Sequence, residues 1–212
     1  MIIPSANDNW IVVGPGRTGS KVIADAIVKI CRQLRFILEI KDPNVTLTSL
    51  TPLTIYHSHN CQDLQYSSQV SKCILSTRDL VDSALSWCIQ PYIGEWHLYP
   101  LKHRELKIQL EKNIPAFHLE PALFMHYYEW GQNFYRETRQ YDLSNVIIID
   151  YKDFQHDHTN IAKILDYPIF PIRGLPVKNP GTPSQWITNW SKIEEIIKPL
   201  ERDPKKFLDQ RV

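Results

Sequence analysis

Trp10-Ile11-Val12-Val13-Gly14-Pro15-Gly16-Arg17-Thr18-Gly19-Ser20-Lys21 is the stretch that decides the fold. Four apolar residues in a row fit a strand buried on both faces, as the strands of parallel sheets are. Gly14, Pro15 and Gly16 break the run. Beyond Gly19 the period changes, and Val22, Ile23, Ala26, Ile27, Ile30, Cys31 and Leu34 recur at helical spacing. The segment therefore reads as strand, glycine turn, helix. Such a turn aims backbone N–H groups at one point, and the positive end of the helix dipole adds to them, which makes an anion site. Arg17 adds a planar guanidinium and Ser20 a hydroxyl, both suited to phosphate-like oxygens. A plain strand-to-helix turn shares the glycines without that pair. The Walker A pattern continues its second glycine with Lys and then Ser or Thr. Here Ser20-Lys21 follows Gly19 in the reverse order, which misplaces the hydroxyl that would hold magnesium.

The same alternation continues outward. Residues 52–56 (PLTIY) form a strand pattern followed by His57-Ser58-His59, and residues 72–77 (KCILST) form another that ends at Arg78. Leu80, Val81, Ala84, Leu85, Cys88 and Ile89 then make a helical stripe. Residues 145–150 (NVIIID) are a further strand, and a helix is expected over residues 159–165. Strands alternating with helices predict an α/β chain, a three-layer parallel sheet with helices on both faces. Residues 92–135 are aromatic-rich, with helices expected near residues 101–113 and 121–141. This insertion reads as packing against the sheet or as a substrate-binding lid, and the lid is the expectation, because ligand sites of open sheets lie at the carboxyl ends of strands. Pro168, Pro171, Pro176, Pro180 and Pro183 mark a long irregular loop within one domain spanning residues 1–212.

The chain has 212 residues, 43% hydrophobic and 22% charged, which excludes disorder, collagen and coiled coil for its bulk. Lys and Arg number 24 against 23 Asp and Glu, a net charge of +1, so no basic excess marks a nucleic-acid binder. No apolar run approaches the ~18 residues of a membrane span. The first residues lack the basic start and apolar core of a signal peptide, so a cytoplasmic protein is expected. Cys31, Cys61, Cys73 and Cys88 form no CxxC pair and are expected as buried thiols in a reducing compartment.

A second motif is Arg78-Asp79-Leu80-Val81-Asp82-Ser83-Ala84-Leu85-Ser86-Trp87. Arg78 sits at a strand end and Ser86 two turns into the next helix, so both can reach one phosphate; an Arg in this place is also a common surface salt bridge. Taken together, the two motifs resemble the sulfotransferase family. That resemblance implies a parallel sheet of P-loop type and the donor 3′-phosphoadenosine 5′-phosphosulfate, with adenosine 3′,5′-bisphosphate as product. It puts Gly16, Arg17, Thr18, Gly19, Ser20 and Lys21 on the 5′-phosphosulfate and Arg78 and Ser86 on the 3′-phosphate. It matches His59 to the catalytic base and His57 to a lysine of the family's triplet. Tyr151-Lys152-Asp153-Phe154 is similar to a segment whose Tyr lies near the adenine, and Lys178-Asn179-Pro180-Gly181 followed by Trp186 to a basic loop over the nucleotide. The sequence departs from the family at Gly16, where Pro is usual, at Lys21, and at Val22, where a Trp stacks the adenine in cytosolic members.

In sulfuryl transfer, charge builds on the leaving and equatorial oxygens, so Arg17 and the loop amides are placed to stabilise it. The scheme requires no metal. A histidine suits removal of the acceptor's proton, because its ordinary pKa lies near neutral. His57 and His59, alternate on a strand, also have the spacing of two zinc ligands, without a third at recognisable spacing; His156 and His158 sit in a polar loop and read as solvated. The acceptor is expected to be a small molecule or glycan carrying a hydroxyl or amine. Two other functions fit in part: a P-loop kinase or NTPase, for which Asp150 is the strand-end acid, and a sulfotransferase-like binding protein without catalysis.

Overall fold

Alternate residues of a strand face opposite ways, and here both sets are apolar. Ile11 and Val13 of β1 (Trp10–Val13) join one core, while Trp10 and Val12 join another. The computed structural model describes residues 9–30, 36–40, 53–93, 116–154, 159–166 and 183–208. Five strands form one sheet in the order β2-β3-β1-β4-β5, with β2 at Phe36–Ile40, β3 at Thr54–Ser58, β4 at Lys72–Thr77 and β5 at Val146–Asp150. All four pairings are parallel.

One face carries α1 (Ser20–Ile30) and α4 (Thr159–Ile164), whose Val22, Ile23, Ala26, Ile27, Ile161 and Ala162 pack with Ile55, Ile74 and Ile149 of the sheet. The other carries α2 (Leu80–Ile93) and α3 (Pro121–Thr138), backed by α5 (Trp190–Ile197) and α6 (Lys205–Leu208). Each buried aliphatic or Phe side chain contributes about 1.5–3 kcal/mol. The expected three-layer α/β architecture is what forms.

The boundaries move in places. β3 runs on through His57 and Ser58, two residues beyond the apolar pattern, because Val12 and Val13 of β1 pair with them in register. β2 answers to no strand expected between the first helix and β3. Helix α3 stops at Thr138, where the Thr138 hydroxyl turns back to donate to Tyr135 O. This helix is core in part: Phe124, Tyr128, Phe134 and Tyr135 are buried on the sheet side. Tyr135 reaches under β4 and donates to Ser76 O at 3.1 Å. That part of the expected lid is therefore a packing helix, held by aromatic burial, while residues 94–115 lie outside the described set. So do Cys31, the loop residues Lys178 to Gly181, and His156 and His158.

Candidate functional site: one edge of the sheet

Four parallel strands deliver four residues to one edge. Gly14 follows β1, His59 follows β3, Arg78 follows β4 and Tyr151 follows β5. Register aligns them: Val13 pairs with Ser58 and with Leu75, and Thr77 pairs with Asp150. Gly14 N–H donates to Ser58 O at 3.1 Å and extends the ladder past the strand ends. The carboxyl ends of parallel strands are where open α/β sheets bind ligands.

The loop after β1 is shaped as an anion concavity. Arg17 and Gly19 both adopt left-handed backbone, with φ of 71° and 84°. Alternating backbone hand turns successive N–H groups inward. The first helical bond of α1 runs from Ile23 N to Gly19 O, so the Ser20, Lys21 and Val22 amides have no acceptor within the helix. A Cβ on Gly19 would sit 2.6 Å from the Tyr151 ring, and one on Gly16 2.2 Å from Trp87. Trp87 Nε1–H also donates to Gly16 O at 3.1 Å. Glycine at position 16 leaves the space that Trp87 occupies. Trp87 in turn stacks on Tyr127 at 5.3 Å and meets Trp130 edge-on.

Thr18 is fully buried, and its hydroxyl donates to Pro15 O at 2.7 Å. A carbonyl only accepts, so Ser76 Oγ, also 2.7 Å away, is the donor to Thr18. The Thr18 side chain is thus committed to the loop itself, and what it offers an anion is its backbone. Lys21 turns along α1 and pairs with Asp25. Its charge is partly neutralised there.

The two arginines converge. Arg17 Nε donates to Ser86 Oγ at 2.9 Å. Arg78 donates to Arg17 O at 3.0 Å and lies over the Tyr151 ring, 4.5 Å from its centroid. Burial, then the charge of Arg78, lower the Arg17 pKa from 12.5 to about 10, against a smaller opposing effect of Tyr151. Arg17, Arg78, Ser86 and Tyr151, expected at one ligand from separate motifs, are thus neighbours. Asp79 caps α2, its carboxylate accepting from Asp82 N at 3.0 Å, which leaves Arg78 outside the helix and directed at the loop.

The histidines occupy the adjoining strand end. Ser20 Oγ and His57 Nε2 are 2.8 Å apart, both residues buried. His59 Nδ1 contacts Gly14 O at 2.8 Å. Since Gly14 O only accepts, His59 Nδ1 carries a proton, and in the neutral ring Nε2 is the basic nitrogen. The rings of His57 and His59 meet edge to face at 4.7 Å. Among the described residues no group of three or more His, Cys, Asp and Glu side chains gathers to hold a metal. The strand-end acid Asp150 accepts from Lys152 N at 3.0 Å and faces the Lys152 ammonium at 3.6 Å. Cys61, Cys73 and Cys88 are buried free thiols, and burial pushes each up to about 12, so none is a ready nucleophile near neutral pH.

Trp87, Ser76, Tyr135 and the Gly14 carbonyl are site-building residues that sequence reading passed over. The small Gly16 and the Trp immediately after Ser86 were the available signals. No helix among the described residues is long and apolar enough to cross a membrane. No family model matches the chain, and no curated protein matches it in sequence. Among solved structures, the chain is similar to a sulfotransferase from Alicyclobacillus acidocaldarius, at 12% identity and a TM-score of 0.42, over 97% of this chain and 100% of that one.

Proposed function

We propose that this chain is a sulfotransferase that moves a sulfuryl group from 3′-phosphoadenosine 5′-phosphosulfate to a hydroxyl or amine of a small-molecule or glycan acceptor. The observation that carries the reading is the convergence of two guanidiniums, Arg17 and Arg78, on a loop of inward N–H groups, with burial and mutual repulsion both opposing the Arg17 charge. Such a cluster fits a polyanion, which relieves the repulsion. Arg78 and Ser86, with the Tyr151 ring beside them, would hold one phosphate and the nucleoside side. The loop from Gly16 to Ser20 would hold the phosphosulfate end. The nucleotide supplies an activated sulfuryl group.

The chain's own residues do the rest. Arg17 and the loop amides stabilise charge on departing oxygens. His59, with its proton fixed on Nδ1 by Gly14 O, presents Nε2 as the base for the acceptor's proton. Serving the phosphate in the kinase reading would require Lys21 to leave Asp25, its partner along α1. A cytoplasmic setting belongs to the same reading, and the free buried thiols support it, because thiols persist in reducing compartments.

The test is calorimetric titration of adenosine 3′,5′-bisphosphate against ATP with magnesium. Preference for the bisphosphate, and a sulfuryl-transfer rate unchanged by EDTA, is the expected result. Preference for ATP with a magnesium-dependent rate would replace this reading by the kinase one.

A further inference from the structure

Ser20 Oγ and His57 Nε2 lie 2.8 Å apart, with the two residues only 2% and 1% exposed. A hydroxyl has one proton, and an imidazole nitrogen either carries one or does not, so this contact has two arrangements. With Nε2 unprotonated, Ser20 gives its proton to His57 and is left with only lone pairs for any other neighbour. With Nε2 protonated, the ring donates to Ser20 Oγ, and the serine proton is released to another acceptor. Ser20 opens α1 directly after the left-handed Gly19, where the backbone N–H groups of the loop gather. An anion there accepts a proton from a hydroxyl and is repelled by bare lone pairs.

We infer that His57 is a positioning residue: through Nε2–H it turns the Ser20 hydroxyl proton toward the loop and makes Ser20 a donor to a bound phosphoryl or sulfuryl oxygen. This rests on the anion-loop reading above, though not on the identity of the nucleotide. The fold holds the histidine to the task. His57 sits on β3 between two strands, paired with Val12 on one side and Glu39 on the other. The His59 ring, edge-on at 80°, closes part of the space into which the His57 ring would turn. Because the Nε2–H form and the bound anion favour each other, each promotes the other by the same factor.

The experiment compares wild type with Ser20→Ala, His57→Leu, His57→Gln and the double variant Ser20→Ala/His57→Leu. Each is titrated with inorganic phosphate and with adenosine 3′,5′-bisphosphate. One lost donor is expected to weaken binding about threefold to tenfold in His57→Leu and in Ser20→Ala. The double variant should bind no more weakly than Ser20→Ala, since His57 acts through that hydroxyl. His57→Gln should restore binding, because its amide N–H donates as Nε2–H does. If His57→Leu fails to fold, histidine nitrogen resonances of the wild type decide alone: His57 Nε2 should be protonated in the phosphate complex.

Losses that add in the double variant, or an unprotonated Nε2 in the phosphate complex, overturn the inference. Tight bisphosphate binding with additive losses removes the role of His57 and leaves the sulfotransferase reading standing. Phosphate binding that shows the coupling, without bisphosphate binding, does the reverse. Binding of neither anion removes both.

Discussion

Arg78 and Arg202 border the same turn and are treated in opposite ways. Arg202 meets Asp79 at 2.6 Å and Asp82 at 2.9 Å. Burial works against its charge, but the hydrogen bond and charge of Asp79, then those of Asp82, raise its pKa above the ordinary value. Arg78, next to Asp79 in sequence, turns the other way. It has a tyrosine ring and a backbone carbonyl in place of a carboxylate, and a second guanidinium for company. Asp82 feels Arg78 through space, yet accepts its hydrogen bond from Arg202. Arg202 is paired with two carboxylates, whereas Arg17 donates to a serine hydroxyl and Arg78 to a backbone carbonyl. Counting arginines would treat all three alike; their partners separate structure from function.

The widest separation between the two regions should appear in turnover. His59→Ala, beside Arg17 and Arg78, is expected to slow single-turnover sulfuryl transfer by roughly 10²–10⁴-fold, with bisphosphate affinity unchanged. Arg202→Ala should leave that rate alone. Normal turnover in His59→Ala would remove the base from the site.

Next is affinity. Arg78→Ala should weaken adenosine 3′,5′-bisphosphate by about tenfold to a hundredfold, the loss of a charge-assisted pair, and AMP far less. Equal weakening of both nucleotides would make Arg78 a structural residue like Arg202.

Stability should then move in opposite directions. Arg17 has a folded pKa of about 10, below its ordinary 12.5. A base with a depressed folded pKa is held charged at a cost; that cost is complete below about 10 and fades as pH rises from there to 12.5. Arg17 also sits at φ 71°, a region asparagine tolerates better. Arg17→Asn should therefore raise stability at pH 7 by on the order of 1 kcal/mol, read from denaturant midpoints, while weakening the bisphosphate. A destabilised Arg17→Asn would mean that its bond to Ser86 outweighs the buried charge.

The smallest effect belongs to Arg202. Its side chain is 49% exposed, so Arg202→Ala should cost at most about 1 kcal/mol, less at high salt. A larger loss would show that the turn between β4 and α2 depends on it.

The strand-turn-helix opening, four of the five strands and the places of the Arg17 and Arg78 motifs were legible in the amino-acid sequence. These follow from local rules: an unbroken apolar run, the shift to helical spacing after Gly19, and an Arg or a Tyr just past a strand. Parallel strands end on one edge, so Gly14, His59, Arg78 and Tyr151 were bound to be neighbours once the sheet was parallel. β2 escaped because its five residues, Phe36–Ile40, carry no turn signal that parts them from the helical stripe before them.

The side-chain partners emerge with the packed fold. Arg17 with Ser86 and Ser20 with His57 are contacts 69 and 37 residues apart, and the fit of Trp87 over Gly16 and the capture of Asp79 by Arg202 join residues 71 and 123 apart. The reason is physical. A motif states which groups are available, but a side chain's partner depends on strand register and on which helix face turns inward. Lys21 illustrates this: its place beside the loop was legible, and its direction, along the helix to Asp25, was set by the turn of α1.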